Sequence, residues 1–272
     1  MDLFQTIIIA VIEGLTEFLP ISSTGHMIIV QNILGVQQGD SFVHAFTFII
    51  QFGAILSVVC LYWKKFFLFK YETLRLYGKL LIGVLPAVVI GLAAKKTGIL
   101  DWLLDSVTVV AIMLIIGGIF MLFCDKIFYK KSIDNRDITN KKAFNIGLFQ
   151  CISVIPGVSR SMATIVGGMA NNLTMKKAAE FSFFLAVPTM AGATILDLYD
   201  LLKEDSNWAT GENIILLLIG CLISFVVALF AMKWFVSFLT KYGFKAFGWY
   251  RVIVGIVILI MILSGVSLNM VD

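Results

Sequence analysis

Two glutamates lie in a mostly apolar stretch near the N-terminus, "IEGLTEFLPISSTGHMII" at residues 12–29. Glu13 and Glu17 are four residues apart, so on a helix they share one face at roughly 6 Å, where two carboxylates repel each other. A divalent cation, a shared proton or a nearby arginine would offset that repulsion. Because carboxylate oxygens are hard ligands, the pair favours Mg²⁺ or Ca²⁺ over zinc or copper. The alternative is an ordinary helical pair whose side chains reach water.

A hydroxyl-rich turn, "PISSTGH", follows the acids directly. Pro20 ends the helix, and Ser22, Ser23 and Thr24 can then present hydroxyls and backbone N–H groups to an anion such as phosphate. A plain capped turn would use the same residue types. His26 favours the anion site, because a histidine beside hydroxyls and acids can exchange protons near neutral pH.

A second polar stretch, "IPGVSRSMATIVGG" at residues 155–168, contains the complementary charge. Arg160 is the single arginine in either broken apolar segment, and its planar fork of donors matches phosphate bidentately. Its neighbours offer further donors and a flexible backbone position: Ser159, Ser161, Thr164 and Gly157. Arg160 could instead pair with Glu13 or Glu17 and pin the two segments together, and the two roles can coexist.

The composition places these residues in a membrane. Of the 272 residues, 60% are hydrophobic and 14% are charged, and the mean hydropathy is +0.97. Soluble domains do not have this composition, so we predict an all-α integral membrane protein with a single domain over residues 1–272. The net charge of +4 comes from short basic clusters between apolar runs, which indicates membrane loops and no nucleic-acid partner.

Six apolar stretches are long enough to span a bilayer as helices. They lie near residues 42–63, 79–95, 106–124, 178–200, 213–232 and 248–267. Residues 1–35 and 143–172 fit this pattern badly, because Pro20 and Pro156 divide each of them into two short pieces.

Basic residues predict which loops face the cytoplasm. They form three groups: Lys64, Lys65, Lys70, Arg75 and Lys79; Lys126, Lys130, Lys131, Arg136, Lys141 and Lys142; and Lys233, Lys241 and Lys245. If these loops share a side, residues 143–172 must begin and end inside, and residues 1–35 must begin and end outside. We therefore predict two re-entrant helical hairpins that enter the membrane from opposite faces.

Weak internal similarity supports the same arrangement. Pro20 and Ser23 fall on Pro156 and Ser159 at one offset, and "AFTF" at residues 45–48 falls on "EFSF" at residues 180–183. We predict two repeats, about 1–124 and 143–267, of inverted topology. Because irregular backbone at membrane depth must line protein or a polar cavity, both hairpin tips should face one shared site near the midplane.

Two motifs carry a resemblance to a known family. At "EGLTEFLPISSTGH", residues 13–26, and "PGVSRSMAT", residues 156–164, the sequence resembles the bacterial undecaprenyl-diphosphate phosphatases linked to bacitracin resistance. The resemblance implies a phosphatase that removes the terminal phosphate of a C55 isoprenoid diphosphate and so recycles the lipid carrier for peptidoglycan. It also implies a site on the outer side of the bacterial cytoplasmic membrane.

The same resemblance implies roles for individual residues. Glu13 and Glu17 would act with a divalent metal ion, His26 would serve acid–base chemistry, and Arg160 would bind the diphosphate. The nucleophile stays open between Ser23, activated by His26 or Glu17, and a water molecule. A secondary transporter or flippase of an anionic isoprenoid lipid is the alternative function, since broken helices in inverted repeats are typical of transporters. The oligomeric state is open, including a homodimer.

Overall fold

A computed structural model of the chain describes residues 1–36, 40–68, 71–99, 103, 106–128, 138–204, 208–266 and 268. Four cations of the predicted cytoplasmic loops lie outside the described residues, namely Lys70, Lys130, Lys131 and Arg136. Residue 267, the end of the last predicted span, also lies outside them.

Every regular element in these residues is a helix. In chain order they are α1 (Leu3–Thr16), α2 (Ser23–Ile33), α3 (Ser41–Leu61), α4 (Trp63–Phe67), α5 (Tyr71–Lys96), α6 (Val107–Phe128), α7 (Asn140–Gln150), α8 (Arg160–Ala170), α9 (Met175–Glu204), α10 (Gly211–Tyr242) and α11 (Lys245–Leu263). A single 3₁₀ turn, Cys151–Val154, follows α7. The prediction of an all-α fold is confirmed.

Six of these helices are long and apolar enough to cross a membrane: α3, α5, α6, α9, α10 and α11. This confirms the six predicted spans, although several helices extend beyond them. α5 begins at Tyr71, and α10 continues to Tyr242. The sequence prediction ends these spans at charged residues, Lys79 and Lys233. A helix satisfies its own backbone hydrogen bonds and can therefore continue past the membrane surface.

Besides α4, which has 5 residues, four helices are too short to cross a bilayer. α1 has 14 residues, or about 21 Å at 1.5 Å per residue, against a hydrocarbon core of about 30 Å. α2, α7 and α8 have 11 residues each. These are the pieces of residues 1–35 and 143–172, and their lengths suit half-membrane hairpins.

Two hydrophobic clusters show where the hairpin ends lie. One cluster joins Met1 and Val36, at the ends of the first hairpin, to Phe42 at the start of α3 and to Trp208 before α10. The other cluster is larger and extends from residues near both tips, such as Phe18 and Val158, to the ends of the second hairpin. There Ala143 and Leu173 join Cys124 of α6 and Leu239 of α10. This packing agrees with hairpins that open to opposite sides, and their re-entrance stays a prediction.

The first helix of each hairpin packs on a spanning helix of the other half. α1 lies along α10 and α7 lies along α5, while α6 and α11 pair with each other. The helices in the first two pairs approach each other closely because glycines lie where they touch. A Cβ on Gly14 would lie 2.6 Å from the Ser224 carbonyl oxygen, and a Cβ on Gly147 would collide with the backbone of Gly83. This reciprocal exchange is what an inverted repeat would produce, and the repeat itself stays a prediction.

Candidate active site

Each hairpin tip ends in a serine with an unusual backbone conformation. Ser22 precedes α2 with φ 69°, and Ser159 precedes α8 with φ 73°. A positive φ in a non-glycine residue is strained by roughly 1–3 kcal/mol, and such strain is held at functional sites by the surrounding structure. Both serines cap their helices, since Ser22 Oγ accepts from the Gly25 N–H at 3.5 Å and Ser159 Oγ from the Met162 N–H at 3.4 Å.

This shared geometry changes the register between the two tips. Ser22 is the structural counterpart of Ser159, so Ser23 corresponds to Arg160, each being the first residue of its helix. Aligning Pro20 with Pro156 instead pairs Ser23 with Ser159, which differs from the structural match by one residue. The second tip is longer by one residue, Gly157, which adopts φ 88°.

One carboxylate joins the two tips. Ser23 Oγ donates to Glu17 Oε2 at 2.7 Å, and Arg160 Nη2 donates to Glu17 Oε1 at 2.8 Å. The arginine and glutamate side chains are only 12% and 10% exposed, so solvent screens this ion pair weakly. The alternative that Arg160 serves as a charge partner of an acid is therefore present in the structure, and the partner is Glu17. The N-termini of α2 and α8 converge here, which makes the surrounding field favourable to an anion.

The guanidinium of Arg160 is held from several directions. Nη1 donates to the Ser182 carbonyl oxygen at 3.3 Å, Nη2 also contacts Met190 Sδ at 2.9 Å, and the ring of Phe18 lies 5.6 Å from the guanidinium carbon. Its Nε is buried and has no hydrogen-bond partner. An arginine with an unused donor at a half-buried position suits the capture of a phosphate oxygen.

Glu13 supplies the second acid of the predicted metal pair. Its side chain is 1% exposed, and its Oε1 is buried with no hydrogen-bond partner. Within the described parts of the chain, three or more His, Cys, Asp or Glu side chains do not gather in a metal-binding group. Mg²⁺ is commonly held by only one or two carboxylates together with water and substrate phosphates. The orphaned oxygen of Glu13 beside Glu17 fits such an ion.

His26 contacts the cap of the first tip. Its Nδ1 lies 2.7 Å from the Ser22 carbonyl oxygen, and its Nε2 lies 2.7 Å from the Tyr250 hydroxyl. Since a carbonyl oxygen only accepts, Nδ1 must carry the proton, and Nε2 of the neutral ring accepts from Tyr250. The two rings are stacked, with centroids 5.5 Å apart. Sequence reasoning missed Tyr250, because an aromatic residue in an apolar helix resembles an ordinary lipid-facing side chain.

The predicted substrate-binding hydroxyls divide into two groups. Ser161 and Thr164 are fully buried and already have partners: Ser161 Oγ donates to the Leu19 carbonyl oxygen at 2.8 Å, and Thr164 Oγ1 lies 2.6 Å from Ser182 Oγ. These contacts tie the second tip to the first tip and to α9. In the other group, Ser159 and Thr24 are half-buried, and Ser159 Oγ lies 3.0 Å from Ser161 Oγ. Ser22 is buried in the cap of α2.

Arg251 of α11 is a second residue that the sequence analysis did not predict to lie at the site. It is fully buried, and its guanidinium donates to five carbonyl oxygens. They belong to Pro20 (3.2 Å), Gly157 (2.7 Å), Val158 (3.1 Å), Met113 (3.1 Å) and Leu114 (3.4 Å). Arg251 therefore binds both tips and α6 at once. The available signal was an arginine in the middle of an apolar span, where a charge needs internal partners.

Gly157 combines two constraints in the second tip. Beyond its positive φ, a Cβ would lie 2.5 Å from the Val110 carbonyl oxygen and 2.9 Å from Val110 Cα. The residue packs directly on α6, and its own carbonyl accepts from Arg251. Its predicted contact with substrate stays a prediction.

The site combines a serine hydroxyl on a carboxylate, an arginine and two helix N-termini, all enclosed by apolar helices. This combination defines a membrane enzyme of phosphoryl chemistry. Comparison with known proteins gives the particular family. Residues 6–257 match the family described as bacitracin resistance protein BacA, and the chain belongs to this family. The resemblance predicted from the two motifs is confirmed.

Curated relatives match along nearly their whole length. An undecaprenyl-diphosphatase of Porphyromonas gingivalis is 54% identical over 98% of this chain and 99% of its own. One of Flavobacterium psychrophilum is 53% identical over 96% of both chains, and one of Bdellovibrio bacteriovorus is 48% identical over 100% of both.

Proposed function

We infer that this chain is a membrane phosphatase that hydrolyses undecaprenyl diphosphate to undecaprenyl phosphate and inorganic phosphate. The relatives carry this activity in their names, and one observation in the structure supports it most directly: Glu17 accepts hydrogen bonds from both the Ser23 hydroxyl and the Arg160 guanidinium. A serine hydroxyl on a carboxylate is an activated nucleophile, which bond cleavage needs and transport does not. The transporter alternative is not favoured.

The first step begins at the Ser23–Glu17 hydrogen bond. Ser23 Oγ attacks the terminal phosphorus while Glu17 Oε2 takes the hydroxyl proton. The new Oγ–P bond forms as the anhydride P–O bond breaks, and undecaprenyl phosphate leaves. Glu17 is the better-placed base of the two candidates, because its Oε2 lies 2.7 Å from Ser23 Oγ while His26 contacts Ser22 and Tyr250.

The second step regenerates the enzyme. Glu17 gives up its proton to solvent and takes one from a water molecule that attacks the phosphoserine. As the Oγ–P bond breaks and inorganic phosphate leaves, Glu17 returns that proton to Ser23 Oγ. Arg160, with its unpartnered Nε, binds the phosphate oxygens in both steps and stabilises the charge that develops on them. The converging N-termini of α2 and α8 contribute in the same direction.

A divalent ion, Mg²⁺ or Ca²⁺, belongs to the same proposal. Glu13 and Glu17 would hold it, and the orphaned Glu13 oxygen supports this assignment. When bound, such an ion neutralises charge on a diphosphate. Among the described residues, Arg160 also offsets the repulsion between the two carboxylates, through its ion pair with Glu17.

The remaining site residues are proposed to act around this centre. The hydroxyls of Ser159, Thr24 and Ser22, at the starts of α8 and α2, would donate to the diphosphate oxygens. His26 holds the Ser22 carbonyl and, through Tyr250, exchanges a proton with the solvent side of the site. Ser161, Thr164 and Gly157 would contact substrate only by exchanging their present partners.

We place the protein in the bacterial cytoplasmic membrane with its site open to the outer side. The positively charged loops support this orientation, since Lys64, Lys65 and Lys79 follow α3 at the end opposite to Met1 and Val36. A substrate whose tail remains in lipid then brings its diphosphate to the hairpin tips.

The test is phosphate release from undecaprenyl diphosphate by detergent-purified protein, with Mg²⁺ and with EDTA. We expect Mg²⁺-dependent release by the wild type, loss in Ser23→Ala, and no change in Ser237→Ala, whose hydroxyl contacts only the Lys233 carbonyl of its own helix. Substrate with a radiolabelled terminal phosphate, quenched in acid, should leave label on the wild type. Release without label, retained by Ser23→Ala, would assign the attack to water. No release by folded wild type under several metals would overturn the proposed function.

A further inference from the structure

A basic cavity lies at the end of the molecule that the charge pattern predicts to be cytoplasmic. Its volume is about 600 Å³, and it is lined by α4, by residues 71–79 of α5 and by the start of α9. Its charged lining residues are Lys64, Lys65, Arg75, Lys79 and Lys177, with Glu72 and Glu180. Five cations and two carboxylates give this cavity a formal charge of +3.

The orientation of the protein in the membrane does not require its basic residues to gather around one cavity. Lys141 and Lys176 belong to the same predicted cytoplasmic side, yet neither of them lines the cavity. The lining cations come from three helices that are separate in sequence and converge on one volume. Lys79 and Lys177 are half-buried, so their charges are screened less than those of exposed lysines. A concave region of net positive charge concentrates anions.

The other walls of the cavity are apolar. Leu68, Leu76, Ile138, Phe181 and Phe184 line it together with the charged residues. Phe184 is fixed by edge-to-face contacts with the rings of Tyr62 at 4.9 Å and Phe66 at 5.7 Å. The volume lies within the usual range for small-molecule sites, about 300–1,000 Å³. Cations beside a rigid apolar wall suit a ligand with a phosphate at one end and a hydrocarbon at the other.

The cavity and the catalytic cluster lie on opposite faces of one segment of α9. Glu180, Phe181 and Phe184 face the cavity. The two residues between them face the catalytic cluster. The Ser182 carbonyl oxygen accepts from Arg160 Nη1, and the ring centroids of Phe183 and Phe18 lie 5.5 Å apart. A ligand in the cavity would thus be separated from the catalytic arginine by a single helix.

We propose that this cavity is a second phosphate site, separate from the catalytic one, and that it binds the phosphate dianion of an isoprenyl-type amphiphile or inorganic phosphate. Both ligands present the same dianion to Lys65, Lys79 and Lys177. They differ in the use of the apolar wall, which only the amphiphile would contact. The proposal does not depend on which residue attacks the diphosphate, because it concerns binding alone.

The test uses wild-type protein in nanodiscs of neutral phosphatidylcholine, with farnesyl phosphate and inorganic phosphate as separate probes. Stoichiometry is read by native mass spectrometry and affinity by calorimetry. The cavity variant is Lys65→Gln with Lys79→Gln, and the matched control is Lys141→Gln with Lys176→Gln. Phosphate release from undecaprenyl diphosphate, measured in parallel, checks that each variant is folded.

We expect two farnesyl phosphate molecules per wild-type and control chain and one per cavity-variant chain, with affinity at the lost site reduced by about tenfold or more. Binding of farnesyl phosphate but not inorganic phosphate at this site identifies an amphiphile, and equal binding of both identifies free phosphate. One bound molecule in all three proteins, or equal losses in the cavity and control variants, would overturn the proposal. Such a result would leave the phosphatase activity, measured by turnover, unaffected.

Discussion

Arg251 donates from Nη2 to the carbonyl oxygen of Gly157 at 2.7 Å, and so connects the last helix to the tip of the second hairpin. From Nη1 the same side chain reaches Pro20 in the tip of the first hairpin. The separation of the two tips sets whether Glu17 can meet both Ser23 and Arg160. Arg251 is therefore a positioning residue for the catalytic cluster, although it does not touch the reacting groups.

Replacing Arg251 by methionine should destabilise the protein strongly. The substitution leaves up to five buried carbonyls without donors, and an unsatisfied buried polar group costs about 1–3 kcal/mol. We expect the free energy of unfolding to fall by at least about 3 kcal/mol. Denaturation of the detergent-purified protein measures it, with the exposed Lys233→Met as control. Equal stability of the two variants would contradict the role assigned to Arg251.

Glu17→Gln should abolish turnover while the protein stays folded. Glutamine can still accept a hydrogen bond from Ser23, but it cannot take the proton or pair with the charge of Arg160. Loss of a general base lowers kcat by about 10²–10⁴-fold. Steady-state phosphate release measures the effect. A rate within a few-fold of wild type would remove Glu17 from the proton-transfer step and leave it a tether between the tips.

Glu13→Gln should change the response to metal more than it changes the fold. The substitution replaces a buried carboxyl whose Oε1 has no partner, so we expect stability at or above that of the wild type. If Glu13 holds the divalent ion, the Mg²⁺ concentration for half-maximal activity should rise by about tenfold or more. Titrating activity with Mg²⁺ gives this value. An unchanged Mg²⁺ dependence would exclude Glu13 from the metal site.

Tyr250→Phe separates two roles of His26. The substitution removes the hydroxyl that contacts His26 Nε2 and leaves the bond from Nδ1 to the Ser22 carbonyl intact. If His26 exchanges protons through Tyr250, the pH profile of kcat should shift and the rate should fall by about 10-fold or more. If His26 only holds the strained cap, kcat should stay near the wild-type value while His26→Ala loses stability. Comparing pH–rate profiles of the two variants decides between these roles.

Sequence reasoning found the residues whose chemistry conflicts with their surroundings. Glu13, Glu17, His26 and Arg160 lie within apolar segments, where charges are costly, so their types alone marked a site. The six spans could be predicted from hydropathy, because a helix that crosses the hydrocarbon core must be apolar over about 20 residues. Partners were harder to predict, because which oxygen of Glu17 meets Ser23 depends on how two distant tips pack together.

Hydrogen bonds from side chains to backbone carbonyls could hardly be predicted from the sequence. Arg251 binds carbonyl oxygens, which every residue has, so its partners Pro20, Gly157 and Val158 carry no complementary side chain that could be recognised. The register between Ser22 and Ser159 was likewise set by backbone dihedral angles rather than by residue type. These features appear only when the tips are assembled.

Gly157→Ala should lower stability, and its comparison with Gly192→Ala shows why. Gly157 has φ 88°, and a Cβ there would meet the backbone of Val110, so strain and collision together should cost at least about 2 kcal/mol. Gly192 lies in α9 with nothing within 4 Å of an added Cβ, and alanine there should stabilise the helix by about 0.5–1 kcal/mol. Thermal unfolding of both variants in the same detergent measures the opposite shifts. If Gly157→Ala instead keeps its stability and raises only KM, Gly157 contacts the diphosphate and the packing on α6 yields to the extra methyl group.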